Sequence, residues 1–95
     1  MALSGASATG ARRAHSLLNR KKTPEAVGLF EYAVLNFPDS PNAFDSLAEA
    51  YEAAGQWDLA VENCRTACRL GEEQRDERLA TFRNHLERVT KKLGG

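Results

Sequence analysis

The sequence predicts an all-α protein built from stacked antiparallel helical hairpins. Apolar residues recur at intervals of three and four positions throughout the chain after its N-terminus, and no useful length alternates with the two-residue period of a strand. Prolines, glycines and capping residues divide this pattern into separate helices. A shift of thirty-four residues superimposes two of the helices, and such a period is typical of a repeat array.

Two helices are expected to begin with a proline in the first turn. Pro24 follows Thr23, whose hydroxyl can cap the free amides of a helix, and the same arrangement recurs at Ser40 and Pro41. We expect the first of these helices to end near residue 36, ahead of the next proline. The second should end at Gly55, because glycine tolerates a left-handed turn.

Two further helices are expected in the second half of the chain. One opens at Asp58 and closes at Gly71, and the last covers about residues 73–92. A shorter helix is expected over residues 11–22, ending in three consecutive basic residues. The sequence thus predicts about five helices after a flexible N-terminus of residues 1–10.

Small residues carry the internal repeat. After the shift of thirty-four positions, Ala26 coincides with Ala60. Ala33 coincides with Ala67, and a larger side chain lies between the two alanines of each copy. Small side chains at these positions allow two helices to approach closely, as a stack of hairpins requires.

A complete copy of the repeat lies within residues 41–71. Its first helix carries an aromatic residue, a leucine, a small residue and a tyrosine, and its second carries an aromatic residue and two small residues that flank a bulkier one. These residues are Phe44, Leu47, Ala48 and Tyr51, then Trp57, Ala60, Cys64 and Ala67. The pattern resembles the tetratricopeptide repeat. Ala26, Phe30 and Ala33 look like the second helix of an earlier repeat.

The resemblance implies antiparallel hairpins of a right-handed superhelix, with the residues of the pattern in its core. It covers a single domain, residues 11–93, made of an incomplete first repeat (11–38), the full repeat (41–71) and a capping helix (73–92).

The net charge of zero conceals an acidic middle between two basic ends. Residues 1–22 hold five bases and no acid, a net charge of +5. Residues 23–74 hold ten acids and two bases (−8), and residues 75–95 hold six bases and three acids (+3). This asymmetry favours either a basic partner or contact between the ends of the chain and its own middle.

In tetratricopeptide proteins the first helix of each repeat lines the concave face. The resemblance therefore implies a partner-binding surface at Asn42, Asp45, Glu49 and Glu52. The three acids are spaced by four and three residues, so they form one stripe along a helix. We expect this stripe to accept a basic or polar peptide, and a merely solvated helix face is the alternative.

The final helix carries a narrow apolar seam. Its residues step by three and four in alternation: Leu79, Phe82, Leu86, Val89 and Leu93. The seam is expected to cap the exposed end of the stack, as repeat arrays require. A seam of this kind could also meet its twin in a second chain, which would make the protein a homodimer.

Catalytic residues, cofactors and metals are not expected. No serine lies in a glycine-flanked elbow, and no glycine-rich loop follows a strand. Cys64 and Cys68, with His15 and His85, could in principle collect a metal, but both cysteines fall at packing positions, where a free thiol behaves as a small hydrophobe. Zero net charge argues against nucleic acid as a partner, and no apolar run approaches the length of a membrane span.

The function expected from these features is that of a protein-interaction adaptor or scaffold that associates with itself and has no enzymatic activity. Two cysteines do not make a disulfide framework, which favours a cytoplasmic location. The stretch around Phe37-Pro38 and Ser40-Pro41 is also similar to repeat segments appended to bacterial serine hydrolases. That similarity implies an alternative, an accessory module of an enzyme without activity of its own.

Overall fold

The computed structural model describes residues 23–94, and these form four helices: α1 (Thr23–Asn36), α2 (Pro41–Ala53), α3 (Trp57–Gln74) and α4 (Leu79–Gly94). Each helix packs against the next one along the chain, and no strand occurs in this range. None of the four combines the length and apolar character needed to cross a bilayer. The all-α prediction is confirmed, while the helix predicted over 11–22 and the predicted flexible residues 1–10 lie outside the described range.

The boundaries of α2 follow the predicted capping residues. Ser40 has an extended backbone, and its hydroxyl accepts a hydrogen bond from the amide of Ala43 at 3.2 Å. Pro41 occupies the first turn, where its missing N–H leaves no partner unsatisfied. Beyond the other end of α2, Gly55 adopts a φ of +77°, a left-handed conformation that favours glycine.

The helix that was expected to close at Gly71 instead continues to Gln74, so the prediction of this boundary was wrong. Arg75 terminates α3 in a left-handed conformation with a φ of 53°. Gly71 is buried, and a Cβ atom added there would lie 3.2 Å from Cδ2 of Phe82. This glycine therefore serves the close approach of α3 and α4 rather than a turn, and α4 begins at Leu79.

The interior contains most of the residues predicted for the repeat core. Those that are buried are Ala26, Phe30, Leu47, Ala48, Tyr51, Ala60, Cys64 and Ala67. Ala33, Phe44 and Trp57 are half-buried. Three of the four alanines that define the repeat are thus removed from solvent, as closely packed helices require.

The apolar seam of α4 faces the rest of the protein along most of its length. Phe82 and Val89 are buried, and Leu79 and Leu86 are half-buried. Leu93 is half exposed at the end of the helix. This packing is what the capping interpretation of the seam expects.

We expect Gly71→Val to lower the free energy of unfolding by about 1–3 kcal/mol, because the new side chain would overlap Phe82 in a packed interior. Gly28→Val is the matched control: Gly28 also lies within a helix, but nothing approaches within 4 Å of a Cβ atom there. Urea denaturation followed by circular dichroism would compare the two variants. Equal stability of the two would contradict the role assigned to Gly71.

Candidate functional site

The acidic stripe of α2 lies against the chain's own last helix. Asp45 and Glu52 make hydrogen bonds to His85 and Arg88 of α4, and the two carboxylate side chains are only 15% and 19% exposed. Glu49, which lies between them in the sequence, is half-buried, and Asn42 is exposed. The basic C-terminal end of the chain therefore contacts the acidic middle, one of the two outcomes that the charge pattern indicated.

His85 is the centre of this contact. It is 4% exposed, and both ring nitrogens have carboxylate partners. Nδ1 lies 2.7 Å from Oδ1 of Asp45, and Nε2 lies 3.0 Å from Oε1 of Glu52. Since both partners only accept, a doubly protonated imidazolium satisfies both bonds.

The surroundings of His85 favour its charged form. Burial acts to lower the pKa of the imidazole, but the hydrogen bond to Asp45 and the adjacent Cys64 thiol outweigh it and raise the pKa to about 10. The ring is therefore cationic at neutral pH. A buried cation between two carboxylates is a paired charge, the form in which charges are tolerated in protein interiors.

Arg88 completes the network from the solvent side. Its guanidinium donates from Nη2 to Oε1 of Glu52 at 2.9 Å and from Nε to Oε2 at 3.2 Å, a bidentate arrangement. Burial acts to raise the pKa of Glu52, but the hydrogen bonds from Arg88 and His85 prevail and lower it. Glu52 therefore stays ionised and links the buried imidazole to the exposed guanidinium.

Two further contacts join α4 to α3, one at the Cys64 thiol and one at the ring of Trp57. The potential ligand atoms of Cys64, Asp45 and His85 all lie within 4.8 Å of one another. Cys64 is fully buried. Near the end of α4, the ammonium of Lys92 lies 5.3 Å from the ring centre of Trp57.

Sequence reasoning considered His85 only as one of four possible metal ligands and missed its pairing with the acidic stripe. The sequence does carry an indication of this pairing. His85 and Arg88 are three residues apart on α4, the only helix of the described range with a basic excess. Asp45 and Glu52 are spaced by seven on α2, two turns of helix. The spacing alone could not show that the two rows face each other.

A second feature, which the sequence analysis did not identify, lies on α1. Three large apolar side chains of this helix, which we call the α1 surface, are exposed to solvent: Leu29 (42%), Tyr32 (68%) and Leu35 (79%). Phe37, immediately after the helix, is 64% exposed. The opposite side of α1 buries Ala26 and Phe30. Both sides of α1 thus carry large apolar residues, and an exposed row of this kind is unusual on a helix surface.

The internal repeat provides a reference for the α1 surface. The shift of thirty-four residues places Leu29, Tyr32 and Leu35 on Asn63, Thr66 and Arg69 of α3. The corresponding side of α3 is thus polar. The apolar character belongs to α1 specifically and does not follow from the repeat pattern.

The position of α1 on α2 is fixed by a polar contact as well as by the core. The phenol of Tyr51, a predicted core residue, donates a hydrogen bond to Oε2 of Glu31. Burial, followed by this bond to a carboxylate, raises the pKa of Tyr51 to about 12. The phenol therefore remains a donor at any physiological pH, and α1 is held in a defined orientation.

The chain matches no protein-family model, no curated protein and no solved structure.

We expect the folded protein to lose stability as the pH rises from about 6.5 towards 10. The imidazole has its ordinary pKa of 6.5 in the unfolded chain and a pKa of about 10 in the folded one. The stability that His85 contributes is therefore complete below pH 6.5 and is lost as the pH rises towards 10. The slope for one proton is at most about 1.4 kcal/mol per pH unit. Urea denaturation of the metal-free protein between pH 6 and about 9 measures it.

His85→Gln is the matched variant, because glutamine keeps a hydrogen-bonding side chain that does not titrate. The free energy of unfolding of this variant should be nearly constant over the same pH range. The comparison also distinguishes the effect of His85 from that of the Cys68 thiol, whose pKa is raised by burial and by Cys64 and which both proteins retain. An equal slope in the parent protein and in this variant would contradict the charge assigned to His85.

Proposed function

We propose that the protein is an interaction module that binds another protein chain through the α1 surface. The observation that carries this proposal is the exposure of Leu29, Tyr32 and Leu35 on a helix whose opposite side is already buried. Covering one large apolar side chain completely contributes about 1.5–3 kcal/mol. A row of such residues, three positions apart on successive turns, supplies the contiguous apolar contact that interfaces use.

The scaffold for this surface is, in our proposal, a tetratricopeptide-like array. Support comes from the burial of Ala48, Ala60 and Ala67, where the pattern places small residues between closely packed helices. In such an array each unit buries its apolar face against a neighbour, and a stack of few units leaves one face uncovered. α1 belongs to the incomplete first repeat, and among the described residues its exposed side is such a face.

The α2 stripe is a less suitable site for a partner than the sequence suggested. A basic peptide there would have to displace Arg88 from Glu52 and the buried His85 from Asp45. Removing one member of a buried charge pair such as His85 and Asp45 typically costs about 3–5 kcal/mol. The apolar seam of α4 is likewise engaged within the chain. These contacts favour the α1 surface over both predicted sites.

We propose a second copy of this chain as the first partner to test. The α1 surface is itself an apolar helix face, so two copies can cover each other through a two-fold contact in which the same side chains meet. The predicted homodimer would then form through α1 rather than through the Leu79–Leu93 seam.

We expect the variant Leu29→Asn/Tyr32→Thr/Leu35→Arg to remain monomeric at protein concentrations where the parent chain forms dimers. The three new residues are those that α3 carries at the equivalent positions, so the helix should still fold while losing its apolar row. Sedimentation velocity over a range of concentrations measures the association.

Leu93→Arg is the matched control, because it removes an exposed leucine and adds the same charge on α4. It should leave association unchanged. A parent chain that stays monomeric at high concentration would refute the homodimer, and equal association of the parent and the triple variant would refute the α1 surface.

A further inference from the structure

Three side chains with metal-binding atoms converge inside the protein from three different helices. Asp45 belongs to α2, Cys64 to α3 and His85 to α4, and one ligand atom from each lies within 4.8 Å of the other two. Cys64 is fully buried and His85 nearly so. Their convergence is separate from the α1 surface and does not depend on the proposed function.

We propose that this cluster binds a divalent transition-metal ion of the zinc class. It offers one sulfur, one imidazole nitrogen and one carboxylate oxygen, and thiolate with imidazole selects zinc or cobalt over magnesium and calcium. Ligand atoms around tetrahedral zinc lie roughly 3.3–3.6 Å apart, given metal–ligand distances of about 2.0–2.3 Å. Nδ1 of His85 and Oδ1 of Asp45 lie 2.7 Å apart, and all three atoms lie within 4.8 Å of one another, so the observed separations bracket this spacing and the side chains must adjust on binding.

The surroundings of His85 supply an independent reason for the assignment. Its Nε2 is held by Glu52 at 3.0 Å, and Glu52 is held in turn by two hydrogen bonds from Arg88. Metal-binding histidines commonly donate their second N–H to a carboxylate, which fixes the ring and leaves the other nitrogen for the metal. Here that other nitrogen is Nδ1, the one that faces Asp45.

The metal takes the place of the proton between Nδ1 and Asp45. Cys64 and His85 release their protons to the buffer, and the dication is then compensated by the thiolate and the carboxylate. Because the ligands come from α2, α3 and α4, the metal fastens the last helix to the preceding hairpin.

The test is a titration of the full chain, freed of metal by a chelator and kept reduced, with Co²⁺. A tetrahedral site with a thiolate ligand should give a saturable visible d–d absorption and a sulfur-to-cobalt charge-transfer band, and Zn²⁺ should remove both. Zn²⁺ should also raise the melting temperature. No saturable band in the parent protein overturns the proposal.

Four variants locate the site. Cys64→Ser and Asp45→Asn should abolish the saturable band, and Glu52→Gln should weaken Co²⁺ binding about 10–100-fold, because Glu52 orients the ring. Cys68→Ser is the matched control, a second cysteine one helical turn away that lies outside the cluster, and it should bind like the parent. A band that survives in Cys64→Ser, or unchanged affinity in Glu52→Gln, overturns the assignment.

Circular dichroism of each metal-free variant establishes that it is folded before binding is compared. If Cys64→Ser does not fold, Asp45→Asn and Glu52→Gln decide the result. Loss of the band in folded Asp45→Asn together with weakened binding in Glu52→Gln supports the site, and parent-like binding in either variant overturns it.

Discussion

The packing of α4 onto the preceding hairpin depends on a charge that is buried and paired. His85 enters the interior as a cation because Asp45 and Glu52 receive it on both sides, and Arg88 holds Glu52 ionised. Without this compensation, the charged ring would cost several kcal/mol to bury. The arrangement brings Phe82 and Val89, on either side of His85 along α4, into the core. The position of α4 is thus set by electrostatics as well as by its apolar seam.

Local signals in the sequence were sufficient for much of the fold. Ser40 with Pro41 fixed the start of one helix and Gly55 followed its end, because capping geometry depends on a few adjacent residues. The buried alanines at 26, 60 and 67 followed from the period of thirty-four residues. Gly71 was misread, since a glycine required for close helix packing has the same sequence signature as one that ends a helix.

The candidate sites were harder to predict, for a physical reason. The residues of the acidic stripe were correctly placed on one helix, but whether Asp45 faces solvent or α4 depends on how two distant helices are oriented. Periodicity determines which residues share a side of one helix and carries no information about the element opposite. The exposure of Leu35 was missed for the same reason, because an apolar residue in a helical pattern is ordinarily assigned to the core.

Gly71 has an evolutionary consequence. A Cβ atom there would lie 3.2 Å from Phe82, and His85 lies one helical turn further along α4, so the spacing of α3 and α4 at the glycine bears on the contact of the imidazole with Asp45. A larger residue at 71 would press on Phe82 and strain the contacts of His85 with the carboxylates. Among homologous chains, glycine at this position and histidine at 85 should therefore be retained or lost together.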